Sequence, residues 1–322
     1  MRTTLLAVLG FALISTLTSS ASGRERQWLA LVTAETKNQV IAVALPSGRV
    51  VHRFHVAADP ENVDGRWSRA VVVSTRGRAV TVIDAGMHIV RVLHGFTAPH
   101  IARITPNGGY AYVTDDGSGK LDVIALGRPR IVRRVFVGIG AHHIAVSPDG
   151  RRTWIALGEQ ARRIVILDTS RPAHPRVIGQ LTPRGEAHDL AFTPSGARVW
   201  VTHADSSRVD VYDARTRRLL KSFSGGAPPQ HVAFVPRRRF VPAAGFVTSG
   251  YGRTIQLRNA RTGALYGAFP TDYGSFNIGL GGGYVAIASL LRGTVTLFSQ
   301  NLSQLGHWHL VPATRDVALV LR

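Results

Sequence analysis

Four histidines stand at nearly the same distance before a proline. His100, His142 and His188 precede Pro106, Pro148 and Pro194 by six residues each, and His231 precedes Pro236 by five. His143 and Asp189 directly follow the second and third of them, and Arg315 and Asp316 occupy the matching place near the C-terminus. A neutral imidazole can ligate a metal or accept a proton near neutral pH, and a neighbouring carboxylate can supply oxygen or take the proton onward. Together these groups form a nitrogen and oxygen environment suited to zinc, copper or iron. His100, His142 and His188 are therefore the candidate ligands of a divalent metal ion. His100, His142, His143, His188, Asp189, His231 and Asp316 form the candidate ligand-binding set, to which Glu35, Asp115, Asp116, Glu159, His203 and Asp205 add from nearby loops. The competing interpretation is a histidine that the repeat places here as a capping hydrogen-bonder. No residue of the set identifies itself as catalytic.

Other chemistry-bearing patterns fail. Gly117-Ser118-Gly119-Lys120 lacks the upstream glycine spacing and the following Ser or Thr of a phosphate loop. Neither a Gly-x-Ser-x-Gly elbow nor a His-Glu-x-x-His pair occurs, and residues 115–122 do not match a calcium loop. With no cysteine in 322 residues, thiolate zinc sites, iron-sulfur clusters, disulfides and thiol-attached haem are excluded.

The elements that must position the histidines repeat along the chain. Pro106-Asn107-Gly108, Pro148-Asp149-Gly150 and Pro194-Ser195-Gly196, with Pro236 as a degenerate fourth, recur 42, 46 and 42 residues apart. Proline presets a turn dihedral and glycine tolerates the positive φ that follows, so each tripeptide should close a hairpin. A short apolar strand precedes each turn and an alternating strand follows it, as in residues 144–147 and 110–114. Third and fourth strands complete units of about 40 to 45 residues, the size of a propeller blade. Third strands fall at residues 40–43, 79–83, 121–125, 164–167, 209–212, 254–257 and 294–298, which makes seven blades. The N-terminal unit lacks a first strand, and residues 316–321 form a first strand with nothing after it, so the two should pair and close the ring. The expected fold is all-β: a seven-bladed β-propeller of four-stranded antiparallel blades. Tyr112, Trp154 and Trp200, each six residues after its proline, are expected to pack blade against blade.

Tyr112-Val113-Thr114-Asp115 and Ile144-Ala145-Val146-Ser147-Pro148-Asp149-Gly150 resemble the signatures of the YVTN-type β-propeller repeat proteins, with echoes at 31–33, 200–202 and 246–248. The resemblance spans nearly the whole mature chain, with blades two, six and seven degenerate. It implies a propeller and leaves several functions open. A binding or recognition scaffold with its site at the channel mouth comes first. A lactonase-like hydrolase using a metal or a His and carboxylate pair there is an alternative, as is a periplasmic oxidoreductase subunit with a noncovalent cofactor.

Composition is consistent with a folded, exported protein. Hydrophobic residues make up 45% and charged residues 18%, enough to bury a core and unlike a disordered chain. Residues 1–23 read as an export signal with a positive start, an apolar stretch at 5–14 and a small-residue run, leaving 24–322 as a single propeller domain. The expected location is secreted, cell-surface or periplasmic, with no transmembrane segment in the mature chain. The net charge of +20 comes almost wholly from arginine, since only Lys37, Lys120 and Lys221 are lysines. Arg151-Arg152, Arg215-Arg217-Arg218 and Arg237-Arg238-Arg239 fall on hairpins of the face opposite the histidines and offer a docking surface for anionic polymer or lipid, with specific nucleic acid disfavoured by export. The expected partner at the mouth is a cell-surface or small-molecule ligand.

Overall fold

A computed structural model describes residues 26–322 apart from 68, 159–161, 227 and 238–241. The expected export signal, residues 1–23, therefore lies outside the described residues. Seven four-stranded antiparallel sheets surround a channel. The inner strands, chiefly responsible for lining it, are β4 (Pro60–Arg66), β8 (Pro99–Ile104), β12 (Ile144–Val146), β16 (Ala187–Phe192), β20 (Val232–Val235), β24 (Ser275–Gly281) and β28 (Thr314–Leu321). No helix of the described residues is long and apolar enough to cross a membrane.

Ring closure follows the strand count. Strand β28 pairs antiparallel with β1 (Trp28–Ala34), from Trp28↔Leu321 to Ala34↔Thr314, so both chain ends complete one blade. Reciprocal backbone bonds between Gln27 and Arg322, at 3.1 and 2.9 Å, fasten the end of the ladder.

The repeated turns form as their chemistry dictates. Gly108, Gly150 and Gly196 have φ of 70°, 72° and 71°, a left-handed region that a side chain would strain. Their N–H groups donate to the carbonyls of Thr105, Ser147 and Thr193 at 2.8 Å, while the Asn107 and Asp149 side chains accept from the backbone two residues on. Trp154 and Trp200 are fully buried and meet Phe192 and Phe234 of the following blades edge-on, at centroid distances of 6.1 and 4.9 Å. The aromatic recurrence is thus blade packing, worth about 0.5–1.5 kcal/mol per ring pair beyond area burial.

The threonine that ends the second strand of several blades has a specific task. Thr114 Oγ1 accepts the Ile101 N–H at 3.2 Å and donates to the His142 carbonyl of the next blade at 2.6 Å. Thr202 does the same between Asp189 and Gln230, and Thr248 between His231 and Phe276. Each hydroxyl fixes the start of its own inner strand and ties it to its neighbour.

Candidate metal centre

The inner strands begin with a bulge. Their pairing with the second strand skips a residue between Pro60 and Asn62, Pro99 and Ala102, Ala187 and Leu190, and Ser275 and Asn277. A regular strand would point successive side chains to opposite faces; the extra residue re-aims one of them. Two consecutive residues of each blade therefore reach the channel and form two stacked levels. By register the outer level carries Glu61, His100, His142, His188, Gln230, Phe276 and Arg315, and the inner level Asn62, Ile101, His143, Asp189, His231, Asn277 and Asp316, all of which line the mouth except the buried Asn62 and Asp189. His231, one residue out of register by its proline, shares the inner level with His143 and Asp189.

Five imidazoles meet on one side of this mouth. His100 stacks on His142 with ring centroids 3.8 Å apart, and His143 lies 4.6 Å from His188 and 5.0 Å from His231. One nitrogen each from His100, His142 and His143 lie within 4.8 Å of one another, and so do nitrogens of His143, His188 and His231. Tetrahedral zinc with bonds of about 2.0–2.1 Å spaces its ligands roughly 3.3 Å apart, a gap that small ring rotations close. His143 belongs to both triads. The candidate ligands His100, His142 and His188 are divided between them, with His142 and His188 rings 6.4 Å apart.

Carboxylates orient four of the rings. Nδ1 of His100 lies 3.0 Å from Glu61, that of His142 3.1 Å from Asp116, and those of His143 and His231 3.2 and 3.3 Å from the two oxygens of Asp189. Burial alone would raise Glu61, but His100 and Arg315 hold it at about 2. Burial would likewise raise Asp189, yet His231 and His143 keep it well below the carboxylate range, and the hydrogen bond with His142 lowers Asp116. Ionised carboxylates only accept, so Nδ1 carries the proton on these rings and Nε2 is left for another bond. Desolvation drives His100 down to about 4 against the pull of Glu61, drives His188 to about 3 with help from His231, and takes His143 well below its ordinary value. His100 and His143, kept neutral and held through Nδ1 by a carboxylate, have the arrangement in which metal-binding histidines are oriented.

These shifts predict acid sensitivity. Between about pH 6.5, where a histidine of the unfolded chain charges, and the folded values of about 4 for His100 and 3 for His188, the unfolded state binds more protons. Stability of the metal-free protein is therefore lost as pH falls through that window, by up to about 1.4 kcal/mol per pH unit for each such histidine. Urea midpoints at pH 7.5, 5.5 and 4.5 should decrease in that order; identical midpoints would refute the neutral assignment.

The remaining candidates divide. Asp316 sits at the inner level, where it accepts from Asn62 Nδ2 at 2.7 Å and the Val63 N–H at 3.0 Å, and reaches no imidazole as a ligand. Glu35 binds Arg315 at 2.9 Å, which in turn lies 3.7 Å from Glu61. Asp115 accepts the Thr97 and Ala98 N–H groups and Asp205 that of Glu186, so both shape loops. His203 ends β17 (Arg198–His203), fully buried and 3.1 Å from Asp210, away from the mouth. Glu159 lies outside the described residues. Sequence reasoning missed Glu61 as the partner of His100, and with it Tyr251, Phe276 and Leu290, which line the wall facing the histidines in a cavity of about 360 Å³. On the opposite rim Arg151, Arg152, Arg215 and Arg217 line one cleft; Arg238 and Arg239 lie outside the described residues.

Comparisons support the fold and are narrower on function. Residues 68–171, about one third of the chain, match the family model described as Cytochrome D1 heme domain. No curated protein matches. Among solved structures, a functionally unknown protein from Desulfotomaculum acetoxidans DSM 771 is 14% identical with a TM-score of 0.78, over 91% of this chain and 98% of that one. Hydrazine synthase of Kuenenia stuttgartiensis is 16% identical, TM-score 0.67, over 82% and 91%. The dihydro-heme d1 dehydrogenase NirN, in complex with DHE, is 13% identical, TM-score 0.64, over 88% of this chain and 64% of that one. At such identities the likeness is one of fold: this chain is a seven-bladed β-propeller.

Proposed function

We propose that this protein is an exported propeller of the YVTN-repeat type whose channel mouth is a metal-binding scaffold, holding one divalent transition-metal ion, zinc or copper, through imidazole nitrogens. The observations that support it are the pairing of four histidine Nδ1 atoms with carboxylates, which leaves their Nε2 atoms free to coordinate, and the two triads of neighbouring ring nitrogens that share His143. Burial without a metal would make such a cluster costly, because desolvated imidazoles gain nothing from one another. The cavity in front of the cluster leaves a coordination position for a ligand carried by the metal.

A second reading has one observation behind it: the matched family span contains His100, His142 and His143. An imidazole Nε2 suits an axial haem ligand, and Tyr251 and Phe276 offer a flat apolar wall. Five imidazoles packed ring on ring are nevertheless more donors than a tetrapyrrole can use, and the ion is the better fit. Electron paramagnetic resonance of the copper-loaded chain decides. Hyperfine splitting from three or more nitrogens is expected; a spectrum of oxygen ligation alone would contradict the site, and a haem absorption band formed at one equivalent of added haemin would favour the second reading.

A further inference from the structure

We infer that the lower half of the channel is a separate binding site, for a small organic carboxylate with an apolar body. It does not rest on the metal reading. Two residues below the level of His143, Asp189 and His231, the inner strands carry Ala145, Ala191, Ala233, Gly279 and Ala318. Five small residues out of seven positions widen the channel into a chamber of about 530 Å³. That volume lies within the range in which proteins enclose small organic ligands. The floor that separates it from the metal centre includes His231, Asn277 and Asp316, which line both spaces.

The other two positions of the alanine level are Asp64 and Arg103, on neighbouring blades. Asp64 is engaged, its Oδ2 accepting the Ile104 N–H at 2.6 Å. Asp316 above it is engaged by Asn62, Val63 and Val317. Arg103 differs from both. Its Nη1 donates to the Ala102 carbonyl at 2.9 Å, and among the described residues it forms no ion pair within 4.0 Å. A guanidinium carries five donors and keeps its charge at any working pH. Half-buried on the chamber wall, Arg103 feels the charge of Asp64 and Asp316 without forming an ion pair to either, and therefore presents unused donors to the space beside it.

A carboxylate matches that fork in bidentate fashion. The rest of the wall sets the remainder of the molecule: alanine methyls at the level of Arg103, and Phe192, Phe234 and Leu280 around them. The other donors of the wall are engaged within the protein, Arg66 Nε with the Pro106 carbonyl, Ser147 Oγ with Asp149, Asn277 Nδ2 with the Arg315 carbonyl and His231 Nδ1 with Asp189, and the apolar surfaces reward an apolar body. The +20 charge of the chain favours the approach of an anion.

Calorimetric titration of the metal-free full chain with naphthoate tests this. One naphthoate per chain is expected. Arg103→Met should weaken binding about tenfold or more, the loss of a charge-assisted hydrogen bond, while Arg103→Lys retains part of it. Ala191→Phe, which fills the chamber, should abolish binding. Naphthylmethanol, lacking the charge, should bind the unaltered protein about tenfold more weakly or worse, a comparison that holds even if a variant fails to fold. Absence of saturable binding at millimolar naphthoate, equal affinity for the neutral analogue, or undiminished binding in folded Arg103→Met and Ala191→Phe would each overturn the inference. Metal content measured on the same samples keeps the outcome separate from that of the metal site.

Discussion

Replacing His143 by alanine is expected to strip the protein of its metal. His143 is the residue common to both histidine triads, and its ring is buried, neutral and oriented by Asp189. His100→Ala leaves His143, His188 and His231 in place, and His231→Ala leaves His100, His142 and His143, so each should retain an ion with reduced affinity. His143→Ala leaves two separated pairs. Asp189→Asn tests the layer behind the ligands. It exchanges a carboxylate that receives both His143 and His231 for an amide, and should weaken binding by about 10–100-fold. Zinc remaining after dialysis against a mild chelator is the readout, with the thermal midpoint as control for folding. Full retention of zinc by folded His143→Ala would show that the triads are not the site.

Removal of the last eleven residues should abolish the fold. That truncation deletes β28, whose Val317, Leu319 and Val320 are 2%, 4% and 1% exposed, and leaves the other edge of β1 bare. Burial of three such side chains contributes about 5–9 kcal/mol, as much as the whole net stability of many domains. The deletion also removes Asp316, the acceptor for Asn62 and Val63 at the start of the adjacent blade. The truncated chain should lose its cooperative thermal transition and aggregate through the exposed strand edge. An unchanged midpoint would mean that the ring does not depend on its closing strand.

The fold was legible because its determinants are local and repeated. Pro106, Pro148 and Pro194 mark hairpins through turn chemistry that needs no distant partner, and the unpaired strand at each chain end leaves closure as the consistent arrangement. The site was legible only by address. Counting six residues back from a proline locates His100, His142 and His188, whereas the residue shared by both triads is His143, five back. The same count of five holds for Asp189 and His231, so a second register was present in the sequence. Its meaning depends on the bulge that lets two consecutive residues face the channel, and a bulge in the pairing has no residue signature here. Arg315 was placed at the mouth by strand count, whereas Glu61 comes from a degenerate blade where no motif marks it. Their reach to His100 and to each other depends on the angle between blades. His203 looked like a loop residue because its strand runs one residue longer than the motif suggests, which turns the ring toward Asp210 and into the blade.

One divalent ion per chain at the channel mouth is the quantity to measure. Elemental analysis of untagged protein, followed by zinc titration monitored through thermal unfolding, should find about one equivalent of bound metal. Zinc at about a hundred times its dissociation constant should stabilise the chain by about 2.7 kcal/mol, and His143→Ala should show neither effect. Protein that is metal-free as purified, and whose midpoint is unmoved by zinc or copper, would contradict the metal site and leave the five histidines as a structural ring.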